Sequence, residues 1–152
     1  MNEFVHQFGE QQRLIGIATK PEKNSQQTGF IILNSGLLSK AGAFRFSVEL
    51  ARNLQQNGFY SFRFDFGGIG DSETGLSSET FIERSNAEIL LAMDLMQKEY
   101  GIKKFVVGGL CSAADCALQL KTSVDCVPAS ENMQTEFRKA NLLALRCMEW
   151  RC

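Results

Sequence analysis

The sequence predicts a single α/β domain over residues 1–152. A mostly parallel sheet flanked by helices is expected, with an N-terminal β-hairpin and a C-terminal helix. Three observations predict it. The opening segment alternates apolar and polar residues about a turn, as a hairpin does. Short, continuous apolar runs then follow, of the kind that suit strands buried on both faces. Amphipathic helical stretches separate those runs up to about Leu120, and strands joined through helices make parallel sheets covered on both sides.

The elements follow in order. Phe4-Val5-His6-Gln7-Phe8 and Arg13-Leu14-Ile15-Gly16-Ile17-Ala18 flank the turn at Gly9-Glu10. The polar stretch Pro21–Thr28 is a surface loop, and Gly29-Phe30-Ile31-Ile32-Leu33 is a buried strand. A helix is predicted from about Phe44 to Gln56, with Leu50, Ala51 and Leu54 on one face and a stop at Asn57-Gly58. Tyr60–Phe66 is aromatic-rich and reads as a strand. A longer helix should run from Glu79 to Tyr100, with Ile82, Ile89, Met93 and Met96 as its apolar stripe. Lys103–Gly109 is another strand, leading through a tight turn at Leu110-Cys111 into a helix. These elements make a core over residues 1–120. In the divergent tail, 121–152, Ser123–Val127 reads as a short strand. Pro128–Ser130 begins a closing helix, in which Met133, Phe137, Ala140, Ala144 and Cys147 recur at helical spacing.

Charge and composition narrow the function. With 16 basic and 17 acidic residues, the net charge of −1 supplies no field for nucleic acid or an anionic membrane. No apolar run approaches the roughly 20 residues that span a bilayer. Met1-Asn2-Glu3-Phe4 lacks the basic and apolar regions of a signal peptide, so the expected location is the cytoplasm. Five cysteines without a Cys-x-x-Cys spacing, and a single histidine, predict neither a zinc site nor another cofactor.

The chemically informative segment is Gly109-Leu110-Cys111-Ser112-Ala113. A nucleophile elbow has the form Gly-x-nucleophile-x-Gly, because a sharp strand-to-helix turn needs small flanking residues. Cys111 holds the central position, and Ala113 replaces the second glycine at little steric cost. Alone, this pattern reads as a packing thiol at a strand end. Its context adds Asn34-Ser35-Gly36-Leu37, then Ala51-Arg52-Asn53-Leu54 with Gly58-Phe59, then the stretch from Arg63 through Gly68-Ile69-Gly70-Asp71-Ser72.

In that order, over residues 28–120, these segments resemble the N-terminal half of the α/β-hydrolase superfamily. The cysteine elbow is similar to that of the dienelactone-hydrolase branch. Asn34–Leu37 and Gly68–Ser72 look more like serine-aminopeptidase-like hydrolases. The resemblance implies a truncated α/β-hydrolase-type sheet and hydrolysis of a small-molecule ester, thioester or lactone. By resemblance, Cys111 is the nucleophile, the backbone N–H groups of Leu37 and Ser112 form the oxyanion hole, and Asn34, Ser35, Gly36, Asp65 and Gly68 line the pocket. A thiolate is the reactive form of cysteine, and a helix N-terminus favours an anion.

Two readings compete with this one. The glycine-rich turn could cradle phosphate, but Gly68-Ile69-Gly70 lacks the third glycine of a dinucleotide fingerprint and follows a later strand. Asp71 would also set a carboxylate where phosphate binds, so Asp65 and Asp71 read as turn-structuring groups. The other competitor starts from what is missing. The family takes its triad acid and histidine from later strands. The only histidine here, His6, lies in the first strand, and Asp125 has no histidine to orient. Activity is therefore expected to be weak or absent. The alternative is a non-catalytic binding protein on the same scaffold; a histidine supplied by a partner chain is a third reading. A sheet ending at the elbow strand would also leave an open edge, to be covered by the closing helix or by a second copy in a homodimer.

Overall fold

The computed structural model describes residues 2–22, 27–75 and 78–120, together with the backbone of a strand over Ala144–Glu149. The expected hairpin is present. Strand β1 (Glu3–Phe8) pairs antiparallel with β2 (Leu14–Thr19) from Glu3↔Thr19 to Phe8↔Leu14. Three further strands, β3 (Thr28–Leu33), β4 (Tyr60–Phe64) and β5 (Lys104–Gly109), form the centre of the sheet. Helix α1 (Phe46–Gln56) joins β3 to β4, and α2 (Phe81–Tyr100) joins β4 to β5. Helix α3 (Ser112–Gln119) follows β5 directly, and β6 (Ala144–Glu149) completes the sheet in the order β1-β2-β4-β3-β5-β6.

The connections set the faces. From β3 the chain crosses to β4 on one side, and from β4 it returns past β3 to β5 on the other. Right-handed crossovers in opposite directions place their helices on opposite faces. The side chains of β3 agree: Phe30 and Ile32 pack with Ala51 and Leu54 of α1, whereas Ile31 and Leu33 share a cluster with Ile89, Met93 and Met96 of α2. Ala113, Cys116 and Ala117 of α3 complete the second cluster. Ile82, expected on the α2 stripe, is the second residue of the helix and is exposed.

Local signals explain the helix ends. Glu83 N–H donates to Thr80 Oγ1 at 3.3 Å and Thr80 N–H donates to Glu83 Oε2 at 3.0 Å, a reciprocal cap that starts α2. Gly101, at φ +69°, ends it. Helix α1 starts later than the apolar pattern predicts, because Phe44 and Arg45 are left-handed, at φ 49° and 62°.

Two expectations are corrected. The sheet is mixed rather than mostly parallel: only β4–β3 and β3–β5 run parallel, while β1–β2, β2–β4 and β5–β6 are antiparallel. A parallel pair needs a crossover, usually helical, and helices cross only between the three central strands. The closing helix predicted through Ala144 and Cys147 is also replaced, over Ala144–Glu149, by a strand that pairs with all of β5. The free edge of β5 carries N–H and C=O groups that a strand satisfies and a helix leaves open. The open edge expected at β5 is therefore covered. The strand predicted at Ser123–Val127 and the earlier part of the closing helix lie outside the described residues.

Candidate functional site

The β3–β5 register brings the candidate residues together. Leu33 pairs with Gly109, so Asn34–Leu37 and Leu110–Ser112 leave the sheet side by side. They do so at the carboxyl ends of parallel strands, beside β3, where the connections diverge. Open α/β sheets place ligands at such points.

Cys111 has φ 54° and ψ −126°, a combination that costs an L-residue on the order of 1–3 kcal/mol. The turn is locked by two hydrogen bonds, from Ala113 N–H to Leu110 O at 3.1 Å and from Ala114 N–H to Cys111 O at 2.8 Å. Gly109 is required by close approach: a Cβ there would lie 2.5 Å from Ala113 Cβ and 2.8 Å from Leu33 O. The result is an exposed thiol at the apex of a strand-to-helix turn. Cys116, one turn further on, is buried, and burial pushes its thiol pKa up.

The loop after β3 is tied to this elbow on both sides of Cys111. Ser35 Oγ donates to Leu110 O at 2.5 Å, and Gly36 N–H donates to Ser112 Oγ at 2.8 Å. The loop is closed internally by Leu38 N–H to Ser35 O at 3.0 Å and by Asn34 Nδ2 to Leu38 O at 2.7 Å. Among the described residues, the N–H groups of Leu37 and Ser112 make no hydrogen bond.

A residue absent from the sequence reading anchors the far end of the loop. Lys40 is buried, and its Nζ donates to Asp65 Oδ2 at 2.6 Å and to Asp71 Oδ2 at 2.5 Å. Its backbone N–H also donates to Asp65 Oδ1, and Asp71 N–H donates to Asp65 Oδ2 at 3.0 Å. Asp65 is fully buried within these bonds, beneath the loop. It leaves no room for a side chain at Gly70, whose Cβ would collide with its carboxylate. Burial works to lower the Lys40 pKa, but the bonds to Asp65 and Asp71 outweigh it and hold the pKa above the ordinary value. The bond from Lys40 holds Asp71 below the usual carboxylate range. A lone lysine between Ser39 and Ala41 carries no periodic signal, so only the fold reveals this role.

Of the predicted pocket residues, Ser35 lines a cavity of about 30 Å³ beneath the elbow, bounded by Leu33, Leu38, Phe46 and Leu110. Asn34 is buried in its bond to Leu38, while Gly36 and Gly68 are exposed. The cavity has room for a water or two. His6 is elsewhere: its Nε2 lies 2.7 Å from the Tyr100 hydroxyl, and its strand is four places from β5, about 19 Å at the usual strand spacing. A separate cleft of about 480 Å³, lined by Arg13, Arg84, Glu73, Glu79 and Glu88, lies between the start of β2 and α2. Among the described residues, no group of three His, Cys, Asp or Glu side chains could hold a metal, and no helix is long and apolar enough to cross a membrane.

No protein-family model and no curated protein matches this sequence. Solved structures do. A serine hydrolase homologue of α/β type from Coxiella burnetii matches at 18% identity and TM-score 0.58, over 75% of this chain and 53% of its own. A lidless α/β serine hydrolase from Xanthomonas campestris matches at 18% and 0.59, over 78% and 54%. The fold is that of α/β hydrolases. A cold-adapted esterase from an Arctic intertidal metagenomic library agrees, at 18% identity and TM-score 0.57, over 80% of this chain and 54% of its own. The chain spans about half the length of these α/β hydrolases.

Proposed function

We propose that this chain carries the nucleophile and oxyanion elements of an acyl-transfer site, with Cys111 as the nucleophile and the N–H groups of Leu37 and Ser112 as the oxyanion donors. One observation carries the reading. Cys111 is held, exposed, in a conformation that costs energy, and such strain clusters at functional sites.

The substrate class is a small-molecule ester, thioester or lactone. Sγ would attack the carbonyl carbon as a thiolate, its proton having passed to water. The C–S bond forms as the carbonyl π pair moves to oxygen, and collapse of that oxyanion expels the alkoxide, phenolate or thiolate. Leu37, Leu38 and Phe44 are exposed on and beyond the adjoining loop and would supply an apolar wall for the acyl group. His6, bonded to Tyr100 across the sheet, is no base for Cys111. Loss of a triad base costs on the order of 10⁴–10⁶ in turnover, so acyl-Cys111 should form slowly and, with no base to activate water, hydrolyse more slowly still. The truncated dienelactone-hydrolase-like or serine-aminopeptidase-like assignment, and the cytoplasmic location that would keep the thiol reduced, belong to the same proposal. With β5 covered, homodimer pairing would use the edge of β1 or β6, and light scattering reads it.

Rapid mixing with p-nitrophenyl acetate tests the reading. A burst of p-nitrophenolate with one acetyl group on the Cys111 peptide is expected. Equal release from Cys111→Ala, with no acetyl at that peptide, would overturn it. The placement of the sole histidine favours a second reading, a non-catalytic binding protein on the hydrolase scaffold; that second outcome would support it.

A further inference from the structure

We propose that the Ser112 hydroxyl is a positioning group that sets the oxyanion site by holding the β3–α1 loop against the elbow; this rests on the reading of Cys111 as nucleophile. The two bonds between loop and elbow are not equivalent. Ser35 Oγ to Leu110 O, at 2.5 Å, fastens the root of the loop on the strand side of Cys111. Gly36 N–H to Ser112 Oγ, at 2.8 Å, fastens the residue immediately before Leu37 on the helix side. Gly36 is left-handed, at φ +52°, and the turn closed from Leu38 N–H to Ser35 O spans Leu37 without engaging its N–H.

Ser112 thereby governs both proposed donors. Its own N–H is placed by the first turn of α3, and the Leu37 N–H is placed through Oγ and Gly36. Among the described residues, no other hydrogen bond joins Gly36–Leu38 to the elbow. Replacement by alanine keeps the Ser112 N–H and the thiol but releases Gly36.

The loss should appear only in a reaction that develops an oxyanion. In acylation by p-nitrophenyl acetate, Sγ bonds to the carbonyl carbon, oxygen takes the π pair, and p-nitrophenolate leaves on collapse. In alkylation by iodoacetamide, Sγ displaces iodide and no charge develops on a carbonyl oxygen. Loosening one donor by about an ångström costs on the order of 10–100-fold.

The test measures both rates on the full chain for wild type, Ser112→Ala and Ser112→Thr, with thermal melts alongside. The expected result is a 10- to 100-fold lower acylation rate for Ser112→Ala, with unchanged alkylation and melting temperature, and recovery in Ser112→Thr, which keeps the hydroxyl. Equal loss of acylation and alkylation would assign Ser112 a merely structural role and overturn the proposal. A wild-type burst that Ser112→Ala leaves unchanged would overturn this proposal alone. Absence of any Cys111-dependent burst in wild type would overturn it together with the reading of the nucleophile.

Discussion

Replacing Cys111 by glycine should stabilise the protein. At φ 54° and ψ −126° the backbone crowds any Cβ, and holding an L-residue there costs on the order of 1–3 kcal/mol. Glycine visits such angles without penalty, but its freer unfolded chain returns about 0.4–1 kcal/mol of that gain. The thiol is exposed, so little packing is lost. The net expectation is roughly 0.5–2 kcal/mol in favour of Cys111→Gly, a rise in melting temperature of a few degrees for a chain of this size. Cys111→Ala isolates the cause, because it removes the thiol but keeps the Cβ; it should lie within about 0.5 kcal/mol of wild type. Urea unfolding followed by circular dichroism, with all three proteins at one pH, measures the differences. A Cys111→Gly variant no more stable than Cys111→Ala would refute the claim that the elbow is strained. The expected result would mean that the native residue is kept at a cost in stability, as active-site groups often are.

Other perturbations probe the scaffold. Gly109→Ala would set its Cβ 2.5 Å from Ala113 Cβ and 2.8 Å from Leu33 O, neither of them the end of a flexible side chain. A loss of about 3 kcal/mol is expected, lowering the melting temperature by roughly 6–12 °C; a change under about 2 °C would sink the close-packing argument. Lys40→Met removes the ammonium beside fully buried Asp65 and should cost about 3–5 kcal/mol in urea unfolding, with a loss below about 1 kcal/mol counting against the anchor. The same variant should flatten both pH flanks. Asp71, held below its ordinary 3.8 by the Lys40 bond, contributes stability above that value and loses it as pH falls through the folded-state pKa. Lys40, held above 10.5, contributes fully below that value and loses it as pH rises through its own raised pKa. Glu88 has the sign opposite to that of Asp71. Burial raises its pKa above 4.5, so stability should fall as pH rises from there through the folded-state pKa. Glu88→Gln, which keeps an acceptor for Gly67 N–H, at 3.0 Å in the native protein, should abolish that slope in a pH series of urea midpoints.

Much of this was legible in the chain because its causes are local. The sequence by itself determined the hairpin, the three apolar strands, the α2 helix and the Gly-x-Cys-x-Ala turn. Each is encoded by periodicity, a cap or a glycine within a few neighbouring residues. The alternation of strands and helices was enough to predict the layers, and the ordered motifs were enough to suggest the hydrolase fold. The tail shows where local reading stops: Ala144 and Cys147 fit a helical stripe, yet Ala144–Glu149 became a strand because β5 offered an unpaired edge.

Only the tertiary structure decided which residues meet. The Gly36–Ser112 clasp and the burial of Lys40 between Asp65 and Asp71 both join segments distant in sequence. Their placement follows from the β3–β5 register, which lays Leu33 beside Gly109. A pairing register is a property of two strands and of the core that selects between them. No window of either strand read alone contains it.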